Sequence, residues 1–263
     1  MDGWPIPLGD RDGCNIWIYE FASGRARQIT FESYNFGPLW SPDGTHLTFT
    51  SGRLGLFSVF RMPVDRSAPA EPVLTGSIDQ MARSQSDDGE ILIVEVLHPQ
   101  TGFDIGYVSL RNDDSLRYVL NQTHDETDAV LHPGGRWMAY ASNQTGREEV
   151  SVRPFPGPGG EIPISTEGGR YPLWSADGRE LFYRAGGKVM AVPIETEPEF
   201  RAGRPELLFE GDYLLDLVQG TVYDVSPESR FLMIEKDPGE GKANLVMVFN
   251  WFTELKRLCA AGK

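Results

Sequence analysis

Basic residues are scarce in this chain. Its 263 residues carry 24 lysines and arginines against 38 aspartates and glutamates, a formal net charge of −14. Nucleic-acid binding rests on clustered cations that neutralise phosphate, and an anionic membrane surface asks for the same, so charge argues against both. Cysteine is scarcer still, with Cys14 and Cys259 alone. Two thiols near opposite ends are too few for a disulfide framework and read as free. Four histidines, His46, His98, His124 and His132, show no metal-ligand spacing. No apolar run reaches the ~20 residues of a membrane-spanning helix. The opening Met1-Asp2-Gly3-Trp4-Pro5 lacks the charged and apolar regions of a signal peptide. The expectation is a soluble chain with no direct membrane insertion.

Catalytic signatures are missing too. There is no Gly-x-Ser-x-Gly elbow, the mark of an α/β-hydrolase, and no His-Glu-x-x-His metal motif. Asp10-Arg11-Asp12-Gly13, Asp87-Asp88-Gly89 and Asn112-Asp113-Asp114-Ser115 are acidic, yet none completes a twelve-residue calcium loop with its terminal glutamate. Turn chemistry explains them. Gly157-Pro158-Gly159-Gly160 is too proline-broken to cradle phosphate and reads as a hairpin loop. These absences point away from an enzyme and from any cofactor or bound metal.

What the sequence does have is a repeat. A short turn recurs as Trp40-Ser41-Pro42-Asp43-Gly44, Gln85-Ser86-Asp87-Asp88-Gly89, Leu131-His132-Pro133-Gly134-Gly135, Trp174-Ser175-Ala176-Asp177-Gly178 and Val225-Ser226-Pro227-Glu228-Ser229, with successive starts 45, 46, 43 and 51 residues apart. Periods of roughly 40–50 residues belong to propeller blades. Proline presets the first turn position, aspartate bonds nearby amides and glycine takes the positive-φ position. His132 stands in for the turn serine and reads as a turn residue. Each of the first four turns is followed by three short β-type runs, such as Leu47–Thr50, Leu56–Phe60 and Pro72–Leu74, and the fifth by two, Phe231–Ile234 and Leu245–Phe249. One strand before the turn and three after it make a four-stranded antiparallel blade. Trp40 and Trp174 are expected at the packed seams between blades.

The predicted fold is therefore all-β: a six-bladed type of β-propeller with an incomplete first blade. Residues 1–35 form the partial blade, 36–78, 79–126, 127–169 and 170–220 full blades, 221–250 the last blade, and 251–263 a short C-terminal helix or tail. Only two strands, around Ile16–Tyr19 and Arg27–Ile29, are expected before the first full unit.

The Trp-Ser-Pro-Asp-Gly turn followed by a β-run resembles the TolB-like, WD-type β-propeller repeat of bacteria. The run His132–Asn143, continuing through Gly146–Val150 to Arg153-Pro154-Phe155-Pro156-Gly157-Pro158-Gly159-Gly160, is similar to the C-terminal propeller of bacterial serine/threonine protein kinases. So is the ending Phe249–Lys256. The resemblance spans nearly the whole chain. It implies a sensory or protein-interaction module, fused to or associated with a kinase domain. It also implies a periplasmic or other extracytoplasmic place if the parent is membrane-anchored, and a cytoplasmic one otherwise. No glycine-rich loop with a strand lysine, His-Arg-Asp loop or Asp-Phe-Gly is present, so kinase activity would belong to another segment. Asn15, Asp104 and Glu149 keep the polar residue that opens the family's third strand, whereas Ser58 replaces it.

The functional expectation is a non-catalytic platform for a protein or peptide, since propellers present loops around a channel on a rigid scaffold. The competing expectations are a propeller part of a hydrolase, peptidase or lyase, and a truncated fragment without independent function. His124-Asp125-Glu126-Thr127-Asp128 leads into an inner strand and reads either as ligand-facing or as a solvated loop. Tyr34, Asp128 and Tyr171, just ahead of or entering inner strands, are the candidate partner-binding residues.

Overall fold

The structure is a computed structural model that describes residues 3–10, 13–20, 23–111, 113–214, 223–226, 230–236 and 243–248. Every described element is a strand, and every strand pairing is antiparallel. The first sheet holds β1 (Gly3–Asp10), β2 (Gly13–Glu20) and β3 (Arg25–Gln28). The second holds β4 (Asn35–Trp40), β5 (His46–Ser51), β6 (Ser58–Pro63) and β7 (Glu71–Leu74). The third holds β8 (Gln80–Gln85), β9 (Ile91–His98), β10 (Gly102–Ser109) and β11 (Asp113–Leu120). The fourth holds β12 (Glu126–Leu131), β13 (Trp137–Ser142), β14 (Glu149–Pro154) and β15 (Ile162–Pro163). In the fifth, β16 (Arg170–Trp174), β17 (Glu180–Ala185) and β18 (Lys188–Glu195) are flanked by β19 (Arg201–Ala202) and β20 (Glu206–Glu210), both paired with β18. The sixth holds β21 (Tyr223–Val225), β22 (Phe231–Lys236) and β23 (Ala243–Val248).

Two strands depart from the sequence expectation. β1 adds a third strand to the opening sheet, pairing Pro5 with Ile18 and Pro7 with Ile16. Proline lacks the N–H that a ladder needs, so a Pro-x-Pro run argues against a strand unless it lies at an edge, and β1 is an edge of its sheet. β19 is the second addition, a two-residue strand bonded to the far end of β18. The helix expected over 251–263 and Cys259 lie outside the described residues. Cys14 is a free thiol.

Successive sheets pack face to face through five clusters of buried side chains. The first seam joins Ile16, Ile18 and Ile29 to Leu47, Phe49, Phe60 and Met62. The second joins Val59 and Leu74 to Leu92, Val94, Val96 and Val108. The third places Ile93, Ile105 and Leu120 against Met138 and Tyr140. The fourth sets Val150, Val152 and Ile164 against Trp174, Leu181 and Tyr183, and the fifth sets Phe182, Val189 and Phe209 against Tyr223, Phe231 and Met233. Burying one such side chain contributes about 1.5–3 kcal/mol, so the seams hold the sheets in order. Trp174 is 8% exposed in its seam, and its Nε1–H reaches Val130 O of the previous sheet at 3.3 Å. Trp40 packs against the first seam.

The recurrent turn closes itself. Ser41 Oγ donates to Asp43 Oδ1 at 2.6 Å, Thr45 N–H donates to the same oxygen at 3.0 Å, and His46 N–H donates to Ser41 Oγ at 2.9 Å. Ser86 with Asp88, and Ser175 with Asp177, repeat the arrangement. These bonds hold the three turn aspartates below the ordinary carboxylate range. His132 stands at the serine position but bonds differently, its Nδ1 accepting the N–H of Gly134, two residues on, at 2.8 Å. It also spans the seam: its ring meets Trp174 edge-on at 4.9 Å, and Nε2 lies 3.1 Å from Gly178 O.

Gly135 and Gly178 isolate that contact. Both are left-handed, at φ +70° and +69°, but an added Cβ meets nothing within 4 Å at Gly135 and lies 2.3 Å from His132 Nε2 at Gly178. Chemical denaturation should show Gly135→Ala losing about 1–2 kcal/mol from backbone strain. Gly178→Ala should lose about 1–3 kcal/mol more as the imidazole is displaced. Equal losses would remove His132 from the seam.

Candidate functional site

The innermost strands share one irregularity. In β4, β8, β12 and β16 the register with the neighbouring strand slips midway, between Phe36 and Leu39, Ala82 and Ser84, Thr127 and Val130, and Arg170 and Leu173. An extra residue in one strand leaves the ladder locally disrupted. Gly37, Asp128 and Tyr171 occupy the bulge in left-handed conformation, at φ 58°, 56° and 52°. Glycine adopts this region freely; aspartate tolerates it and tyrosine rarely does.

A bulge amide then needs an acceptor, and in β8, β12 and β16 the previous sheet supplies it. Ala82 N–H donates to Thr50 Oγ1 at 3.0 Å. Asp128 N–H donates to Glu95 Oε1 at 2.5 Å. Thr50 and Glu95 hold the same blade position, opposite Phe36 and Met81. In the fourth sheet that position is Ala141, opposite Thr127, and it offers no acceptor. Asp128 substitutes, its Oδ2 lying 3.3 Å from Tyr171 N–H. Tyr223 O–H continues the relay to Tyr171 O at 2.8 Å.

Charge collects along this relay. Glu95 is fully buried, and its Oε2 lies 2.5 Å from Arg83 Nη2. Burial pushes the Glu95 carboxyl up and Arg83 draws it back down. Arg170 bridges Asp128 at 3.4 Å and Glu148 at 3.2 Å, and its guanidinium lies 4.6 Å from the Tyr171 ring centre. Arg83, Asp128, Ala129, Val130, Tyr171, Pro172 and Leu173 line a small surface cleft.

Of the three residues singled out from sequence, the structure brings Asp128 and Tyr171 together in this cleft. Tyr171 is only 7% exposed and its ring belongs to the fifth seam. Tyr34 stands apart, in an aromatic group with Phe36 at 6.0 Å and Phe57 at 6.3 Å. It immediately precedes β4, whereas Asp128 and Tyr171 lie within β12 and β16, near the end where those inner strands begin. Sequence reasoning missed Arg83, Glu95 and Arg170. Glu95 carried a signal, a lone carboxylate inside the apolar run Ile91–Leu97.

Known proteins now place the architecture. TolB from Acinetobacter baumannii superposes with a TM-score of 0.71 at 16% identity over 89% of this chain. The fold is that of a TolB-like β-propeller. This chain spans 57% of that TolB chain. An oligogalacturonate lyase in complex with manganese matches at TM-score 0.63 and 13% identity, over 94% of this chain and 85% of its own. The nidogen/laminin complex supplies a match at TM-score 0.61 and 10% identity, over 90% of each chain. No protein-family profile matches the chain.

The propeller also buries acids beside the cleft-forming strand. The segment 124–128 is tied down and is not a solvated loop. Asp125 Oδ1 accepts Phe103 N–H at 3.0 Å, and its Oδ2 accepts from Asn143 Nδ2 at 3.0 Å. Glu126 is 1% exposed, and its oxygens accept no side-chain hydrogen bond, though His124 Nε2 lies 2.9 Å from Oε1. Burial, reinforced by the nearby Asp104 charge, pushes the Glu126 carboxyl up to about 7. Asp104 itself is fully buried and accepts from Thr101 Oγ1 at 2.7 Å. Among the described residues no cluster of His, Cys, Asp and Glu is arranged to hold a metal ion.

A raised carboxyl favours the folded state when protonated. The stability it brings is complete below the ordinary glutamate value of 4.5 and is lost as pH rises through about 7. Glu126→Gln mimics the neutral acid at every pH. Between pH 4.5 and 7.5, wild type should lose up to about 3 kcal/mol relative to this variant in denaturant titrations. Parallel curves would place Glu126 in an ordinary solvated environment.

Proposed function

We propose that this chain is a non-catalytic propeller that binds a protein or peptide at the face where its inner strands begin. The observation that carries the reading is the pair Asp128 and Tyr171, two non-glycine residues held left-handed side by side in one cleft. Such backbone costs about 1–3 kcal/mol per residue and persists where surrounding structure imposes it, commonly at ligand-positioning sites. The same face carries exposed apolar surface. Leu54 and Leu56, in the loop from β5 to β6, are 61% and 40% exposed, next to the group formed by Tyr34, Phe36 and Phe57. Apolar side chains around a rigid polar cleft suit an extended peptide better than a small polar metabolite. Neighbours of this fold include TolB and the nidogen/laminin complex.

The finer likeness to kinase-linked propellers rests on the run Arg153–Gly160 and the ending Phe249–Lys256. It adds to the proposal a signalling role, an extracytoplasmic place and association with a kinase domain. The enzyme reading has less support. The lyase match shares the fold at 13% identity, the cleft's charges are engaged in ion pairs, and His132 is held in its turn.

Peptides selected from a random display library on the full chain test the proposal. Arg170→Ala, Asp128→Asn and Tyr34→Ala keep the core side chains in place. The first two should weaken selected peptides by at least about tenfold, and Tyr34→Ala by a few-fold, as truncation of a central contact does, with unfolding midpoints little changed. Selection of no peptide, or equal affinity for all variants, would refute binding at this face.

A further inference from the structure

The relay between sheets changes sign at one position. Thr50 and Glu95 use their blade position to accept the amide of the next inner strand. In the fifth sheet the same position, opposite Arg170, is Arg184. A guanidinium only donates. Arg184 is 3% exposed; its Nη2 donates to Gly186 O at 3.1 Å, while Nε and Nη1 have no acceptor. No carboxylate among the described residues forms an ion pair with it. Its neighbours are aromatic: the guanidinium carbon lies 5.7 Å from the Tyr213 ring centre and 6.0 Å from that of Tyr223. Tyr171, which lines the cleft, follows Arg170, the residue paired with Arg184 across the strands.

Burying a cation without a counter-ion is costly, and aromatic faces offset only part of that cost. Nη2 keeps a second hydrogen beyond its bond to Gly186 O, and with Nε–H or with Nη1–H it forms a planar fork suited to the two oxygens of a carboxylate. We propose that Arg184, walled by Tyr213 and Tyr223, is the carboxylate-anchoring subsite of the peptide-binding face. This rests on the peptide-binding reading above and gives it a chemistry: the bound peptide is held by a carboxylate, from an acidic side chain or from its C-terminus. Asp, Glu or a chain end reaching the fifth and sixth sheets supplies the acceptor that the propeller's own repeat supplies elsewhere.

The test is thermal unfolding of the full chain and of Arg184→Met, in acetate against chloride at equal ionic strength. Without carboxylate, Arg184→Met should melt above wild type by about 2–4 °C or more, because an unpaired buried charge has been removed. Acetate should raise the wild-type midpoint saturably and leave Arg184→Met unmoved. N-acetyl-alanine, with only a chain-end carboxylate, and N-acetyl-aspartic acid α-amide, with only a side-chain carboxylate, then separate the two sources. A lower midpoint for Arg184→Met, or acetate indistinguishable from chloride on wild type, would overturn the assignment. The display-selected peptides keep the two proposals distinct. Peptides lost with Arg170→Ala yet bound equally by Arg184→Met leave the binding face standing and remove the anchor.

Discussion

An amide that has left its own ladder must find an acceptor, and in this protein it finds one in the neighbouring sheet. The bulge in each inner strand creates that need, and the seams between sheets bring the acceptor within reach. Thr50, Glu95 and Asp128 meet it in turn. The apolar clusters supply most of the stabilisation, but they are tolerant of sliding. A hydrogen bond to one named amide is not, so the relay sets the third, fourth and fifth sheets against the sheets before them.

The same constraint explains where the polar chemistry sits. A buried carboxylate is tolerated only when it is paired and bonded. Glu95 meets that condition by taking both Arg83 and the Asp128 amide. The cleft follows from this, because Arg83, Asp128 and Tyr171 are brought together by bonds between sheets and not by any one blade. Arg184 marks the place where the repeat no longer meets the condition with its own residues.

The repeat was legible because its turn is chemically demanding. Ser, Asp and Gly recur at fixed spacing since hydroxyl, carboxylate and left-handed glycine each do one thing there. Even His132 could be placed from its position in the repeat, though its reach across the seam to Gly178 could not. β1 was hidden by Pro5 and Pro7, which local rules count against a strand; only the edge position of β1 makes them acceptable. The site was less legible. Asp128 and Tyr171 were found from their place just ahead of or entering inner strands, but nothing local showed that the Tyr171 backbone is left-handed or that the residue joins the seam. Glu95 and Asp128 lie 33 residues apart, a separation that matches no multiple of the repeat, and no local pattern reports a bond between blades.

Amide hydrogen exchange resolved by residue tests the relay most directly. If the inner-strand bulges are held by the preceding sheet, the amides of Ala82, Asp128 and Tyr171 should exchange only through global unfolding, as slowly as those of the central strand β9. Exchange of Asp128 and Tyr171 at the rate of the exposed loop 52–56 would contradict the account, because the bulges would then be open to water and the cleft would have no fixed floor.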